Sequence, residues 1–200
     1  MNRNAEVHFM QLPKVDIGRS VFDLSKDHMM SGNVGYLYPI FWEFAMPGDT
    51  WKVKTSKVIR FQTMLTPTMG NISCDVHWYK VPLRLVYDHF EEFTGENKSS
   101  PWIPAVTYPM PTISSPSGGF AVGGIADHLG IPPGVSFSAT DKNAPMALPF
   151  RCYALVADSF YRDENLTDPL NIPKGSSNQT GSNGTNYINE HRTKYCPLSA

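Results

Sequence analysis

The 200-residue chain is 41% hydrophobic and 12% aromatic but only 18% charged, with a formal charge of −1; this composition excludes disorder along its whole length and suffices for one domain with its own core. Near-neutrality gives no global attraction to nucleic acid, membrane or acidic substrates, so any such attraction has to be local. The three cysteines, Cys74, Cys152 and Cys196, are far apart and form no CxxC pair, which points away from a disulfide framework or zinc finger and toward a reducing compartment.

Residues 1–34 carry no regular period and contain Pro13 and Gly18, a pattern that suits an extended arm laid over a neighbour. They also lack the continuous apolar stretch of a secretory signal, and no run of about 18 apolar residues occurs anywhere. The expectation is a soluble chain made in a cytoplasm, with no membrane partner. On that reading the five Asn-x-Ser/Thr sequons, at Asn71, Asn97, Asn165, Asn178 and Asn183, are chance occurrences.

Residues 35–81 read as the first strands. Residues 35–45 are rich in Tyr, Ile, Phe and Trp, with Pro39 consigning them to an edge or bulge, and Pro47-Gly48-Asp49 breaks the run. From 51 to 65 the odd positions include Trp51, Val53, Ile59, Phe61 and Leu65 while the even ones include Lys52, Lys54, Ser56, Arg60 and Gln62. This period of two predicts a long half-buried strand with a bulge at Lys57 and Val58. Ile72, Cys74, Val76 and Trp78 alternate with Ser73, Asp75 and His77, predicting a second strand antiparallel to the first.

Residues 82–200 read as rich in helix and loop. Leu83, Val86, Tyr87, Phe90 and Phe93 fall at helical spacing between Pro82 and Gly95, predicting a short amphipathic helix. Residues 97–117 hold Pro101, Pro104, Pro109, Pro111 and Pro116, the mark of a long irregular loop. Residues 123–134 suggest one helical turn stopped by Gly130. Residues 149–162 place Phe150, Tyr153, Ala154, Ala157, Phe160 and Tyr161 along one face of a second helix. The Gly/Ser/Asn-rich residues 174–185 read as a mobile loop. Too few strands are present to close a sandwich, so the chain reads as part of a longer frame.

None of the usual catalytic or cofactor patterns is present. There is no HExxH, no GxSxG and no phosphate-cradling GxxxxGK[ST]. Cys74 and His77, three apart on a strand, would face opposite sides and cannot chelate together. Asp88, His89, Glu91 and Glu92 read as a solvated helix face, and Cys152, on a helix rim beside Arg151, reads as packing. The expectation is therefore no catalytic, cofactor or metal residues and no enzymatic activity. Lys52, Lys54 and Arg60 share one face of the expected strand, with aromatic residues nearby, and could touch phosphates. Arg162, Asp163, Glu164 and Asn165 form a polar cluster that could fix a loop or a neighbouring subunit.

Arg19-Ser20-Val21-Phe22-Asp23, then the segments GYLYPIFWEFAMPGDTW, PLRLVYDHFEEFTGE, GGIADHLGIPPG and ALPFRCYALVADSFYRDENLTDP, come in an order and spacing that resembles the major capsid protein of microviruses, small single-stranded DNA bacteriophages, most of all the gokushovirus branch. The resemblance implies a mainly β fold, an eight-stranded viral jelly-roll sandwich with helical and long-loop insertions, incomplete in this chain. Residues 1–200 would be the N-terminal portion of that single capsid domain. It implies a structural subunit of a small icosahedral (T=1) capsid enclosing single-stranded DNA, found in the virion and made in the bacterial host cytoplasm. Its partners would be copies of itself, other virion proteins and the packaged DNA, with Lys52, Lys54 and Arg60 facing that DNA. Phe90, Phe93, Trp102, Phe160 and Tyr161 would be either centres of subunit contacts or members of the internal core.

Two other classes stay open on the residues alone. A carbohydrate-binding or adhesion β-sandwich would use Trp42, Trp51, Trp78 or Trp102 as a stacking platform. A hydrolase on a β scaffold would need histidines and carboxylates to converge from distant positions.

Overall fold

A computed structural model of the chain describes residues 18–98, 102–103 and 106–179. The start of the expected arm and the polar stretch beyond residue 179 lie outside the described residues. Regular structure within them is helical: a 3-10 turn at Leu83–Leu85, the one-turn helices α1 (Phe90–Phe93) and α2 (Ile125–His128), and the 14-residue α3 (Leu148–Tyr161).

Helix α3 is the spine of the molecule. Pro149 sits in its first turn, where a missing N–H costs nothing, and neither Gly nor Pro interrupts the rest. Its apolar side chains divide between two faces. Phe150 and Ala154, four residues apart, enter one core cluster with Ile113, Phe120 and Ile125. Leu148 enters a second with Val86 and Tyr87, against which Cys152 and Leu155 also pack. Burying a ring such as Phe150 fully contributes about 2–3 kcal/mol, so this helix is held by what lies on both of its sides.

Helix α2 ends as its sequence predicts. The N–H of Gly130 donates to the Asp127 carbonyl at 3.0 Å and that of Ile131 to the Ala126 carbonyl at 2.9 Å, the paired bonds of a Schellman stop. The stop requires a left-handed residue at 130, and glycine supplies it with φ +90°.

The continuous helix expected from Pro82 to Gly95 is instead broken in two. The N–H of Asp88 donates to the Lys174 carbonyl at 3.1 Å, and the Val86 carbonyl accepts Nη1 of Arg151 at 3.1 Å. Backbone groups that would have continued the helix are bonded to other parts of the chain, because Val86 and Tyr87 are drawn fully into the core. The heptad-like spacing correctly marked the buried residues and missed the break.

The expectation of a mainly β jelly-roll sandwich is not met. Among the described residues there is no sheet, only isolated bridges from Thr112 to Met146 and from Ile113 to Gln179. Residues 35–81, expected as the first strands, are extended in places but unpaired, and the apolar members of their alternation, among them Val53, Ile59, Phe61 and Leu65, stand exposed. The physical reason lies in what the period of two measures. It shows how a segment would divide its side chains once paired and half-buried; it does not supply a ladder partner, and β propensity is a fit to such a surface more than a backbone preference.

Residues 111–114 do the work of a short clamp. The N–H of Ile113 donates to the Pro145 carbonyl, that of Ala147 to Pro111, that of Ser114 to Gln179 and that of Gln179 to Thr112, all at 2.8–2.9 Å. The described part of the polar stretch, residues 174–179, is therefore tied in rather than loose: Lys174, Gly175 and Gln179 all accept or donate bonds to the core segments. The proline-rich loop likewise runs inward at Pro111, which is fully buried.

Candidate assembly surface and nucleic-acid strip

Residues 51–87 hold Lys52, Lys54, Lys57, Arg60, Lys80 and Arg84 against the single carboxylate of Asp75, a local charge of +5 in a chain whose total is −1. Lys52, Lys54 and Arg60 are all exposed, and none is engaged in an ion pair among the described residues. Lys57 is turned away to donate to the Cys74 carbonyl. Lys80 and Arg84, which sequence reasoning did not single out, extend the basic strip and are exposed as well. Their signal was the scarcity of acid over the whole stretch rather than any spacing. With no sheet to orient them, the three predicted residues share no fixed face.

The charge reverses immediately afterwards. Asp88, Glu91, Glu92 and Glu96 follow in the sequence, and Lys98 lies 3.4 Å from Glu91, 3.8 Å from Glu92 and 3.7 Å from Glu96. Its hydrogen bond to Glu91 raises the ammonium pKa above the ordinary lysine value. His89 stacks face to face on Tyr108, centroids 3.9 Å apart, with Nδ1 2.5 Å from Glu92. These groups fasten α1 to the 106–110 segment. They do not converge on a cleft.

Two further groups of rings stand at the surface. Tyr79 packs on Phe160 with centroids 4.7 Å apart, and its hydroxyl lies 2.9 Å from that of Tyr161. His77 lies edge-on to Tyr161. Phe160 remains 65% exposed and Trp102 92% exposed, whereas Phe90 is packed against the second core cluster. The four tryptophans do not form one platform: Trp42 donates to the Leu129 carbonyl at 3.1 Å and lies edge-on to Phe44, while Trp78 meets Phe41.

A shallow apolar pocket of about 170 Å³ opens beside Trp42, walled by Leu129, Ile131, Met146, Pro149 and Phe150. The arm is held by residues 41–50. Arg19 donates to the Thr50 hydroxyl at 3.4 Å, Asp23 is held below the usual carboxylate range by the Ser25 hydroxyl and N–H, and Lys26 pairs with Glu43 and sits 5.2 Å above the ring of Phe41.

Arg151 is the residue whose position sequence reasoning missed. The sequence marks it only as the neighbour of Cys152, and it is fully buried, with its guanidinium donating to the Val86 and Gly175 carbonyls at 3.1 Å each. The signal was present on the helical wheel, since Ala147 and Ala154, both buried, lie one turn to either side. Beside it, burial pushes the Cys152 thiol up to about 11 despite the lowering pull of Arg151, so at neutral pH it is a packed thiol and not a nucleophile. Among the described residues no group of three His, Cys, Asp or Glu could hold a metal ion, and no helix is long and apolar enough to cross a membrane.

Comparison with known proteins gives the class of the chain. The family model described as capsid protein (F protein) matches residues 10–196. The chain is 36% identical over 176 residues to capsid protein VP1 of Bdellovibrio phage phiMH2K, an alignment covering 87% of this chain and 31% of that protein. It is 34% identical to capsid protein VP1 of Chlamydia phage 1, over 84% of this chain and 28% of the relative, and 34% identical to that of Spiroplasma virus 4, over 94% and 33%. The chain belongs to the phage capsid protein (F protein) family, and it spans about a third of the length of the curated relatives it matches.

Proposed function

We propose that the chain is a structural subunit of a small icosahedral (T=1) bacteriophage capsid enclosing single-stranded DNA, working by contact with copies of itself and with other virion proteins. Similarity to three capsid VP1 proteins over 84–94% of this chain is the observation that carries the reading. The exposed rings of Trp102 and Phe160 and the extended apolar run at 51–65 support it, since surface of this kind is stabilised by being covered. The role is structural and non-enzymatic, and the protein resides in the virion after synthesis in the host.

Within that role Lys52, Lys54 and Arg60 face the packaged DNA. Contacts to phosphate need charge and reach but no base reading, and an unpaired basic strip in an otherwise acidic chain provides both. The reading is tested by sedimentation and electron microscopy of the full chain over a concentration series: assemblies larger than the monomer are expected. A species that stays monomeric throughout overturns it.

A further inference from the structure

We propose that the ring cluster of His77, Tyr79, Phe160 and Tyr161 is a stacking platform for the bases of a single-stranded nucleic acid whose phosphates follow the basic strip. The inference rests on the DNA-facing reading above and adds a second kind of contact, made to the bases instead of the backbone.

Two distant parts of the chain build the cluster. His77 and Tyr79 bring rings whose planes lie within 28° of one another, with centroids 6.3 Å apart. The end of α3 brings the other two. Phe160 lies 4.7 Å from Tyr79, and Tyr161 is edge-on to His77 with its hydroxyl 2.9 Å from that of Tyr79. These contacts hold the rings against one another, yet Phe160 and Tyr79 remain 65% and 40% exposed. An apolar partner laid over them would strip water from two hydroxyls, the His77 imidazole and the neighbouring Lys80 ammonium. A base covers a ring with its own π-face and keeps its polar edge in water, so it strands none of these groups.

Charge selects a nucleic acid as the source of those bases. Lys80 directly follows Tyr79 and is exposed. Lys57 donates to the carbonyl of Cys74, three residues before His77, so the middle of the basic strip lies against the start of the ring segment. Lys54 and Arg60 stand three residues to either side of Lys57. Of the acids next to the α3 rings, Asp158 is paired with Nε of Arg162 at 3.0 Å, and the Asp163 carboxylate accepts the N–H of Asn165. Exposed rings beside a run of cations are the combination that holds single strands without reading their sequence. A duplex keeps its base faces inside the stack and would gain only from the charge.

The test compares two strands of equal length on the full chain by fluorescence anisotropy: oligo-thymidine, and an oligomer of abasic sugar-phosphates with the same charge. Thymidine is expected to bind about fivefold more tightly or better. Tyr79→Leu with Phe160→Leu should abolish that preference and leave the salt slope as it was, because no cation is removed. Equal binding of both strands by the parent overturns the platform while leaving the DNA-facing reading intact, and failure to bind either strand overturns both. A double variant that keeps the preference also overturns the platform, and a raised concentration for self-association in that variant would assign the rings to a contact between copies. As a check on the unaltered chain, illumination with an oligomer carrying 5-iodouracil is expected to give crosslinks at Tyr79 or Phe160; crosslinks confined to other segments overturn the inference.

Discussion

Nη1 of Arg151 donates to the carbonyl oxygen of Val86 at 3.1 Å, with both residues fully buried, and the same guanidinium reaches the Gly175 carbonyl with Nη2. One side chain on α3 thus fastens the break between the 3-10 turn and α1 on one side and the 174–179 segment on the other. A planar fork with several donors can serve two carbonyls at once, which a lysine ammonium on a single stem does poorly.

Replacing Arg151 with Met leaves both carbonyls without this donor, and the expected loss of stability is about 2–4 kcal/mol. Arg151→Lys should recover less than half of that. Urea denaturation followed by tyrosine and tryptophan fluorescence measures both; equal stability of Arg151→Met and parent would remove the fastening role.

Gly119 and Gly118 form a matched pair for a second test. Both have φ near +90°, but a Cβ on Gly119 would lie 2.5 Å from the backbone carbon of Gly134, whereas one on Gly118 would meet open space. Gly118→Ala should cost about 1–2 kcal/mol from backbone strain alone, and Gly119→Ala distinctly more, because the 134–135 backbone must move. Thermal melting of the two variants decides it, and identical melting temperatures would contradict the close approach.

The thiol of Cys152 titrates well above its ordinary value because burial disfavours the thiolate. A folded pKa raised above the unfolded one means that the contribution to stability is complete below the unfolded value. It is then lost as pH climbs from about 9 through about 11. At pH 8 iodoacetamide should modify the exposed Cys74 at least tenfold faster than Cys152, read as peptide masses. Comparable rates would show that the helix face is open.

For the basic strip, changing Lys52, Lys54 and Arg60 together to Gln should weaken binding of an oligo-thymidine strand and flatten its salt dependence. Three lost phosphate contacts correspond to a drop of about 2 in the slope of log affinity against log salt. Fluorescence anisotropy across a salt series checks it, and an unaltered slope would place DNA elsewhere on the protein.

What the sequence made legible was local. Helix α3 was readable to within one residue at each end, because Pro149 and the spacing of Phe150, Ala154 and Ala157 are properties of the segment itself. The stop at Gly130 was readable for the same reason. The break at Val86 was not, since it depends on bonds to Arg151 and Lys174, far away in the chain. The sheet failed similarly: alternation at 51–65 describes a face, and the partner that would make it a strand is a nonlocal fact. For the basic strip, the pattern found Lys52, Lys54 and Arg60 but tied them to a strand face that did not form, and so passed over Lys80 and Arg84.

All the fully buried apolar residues described here fall between Val86 and Ala157, while residues 18–75 contribute none of them. A newly made copy can therefore condense its interior from contacts within a short span of chain, and do so before it has met any neighbour. The ribbon ahead of that nucleus is left as unspent reach, its shape decided only when something arrives to lie against it.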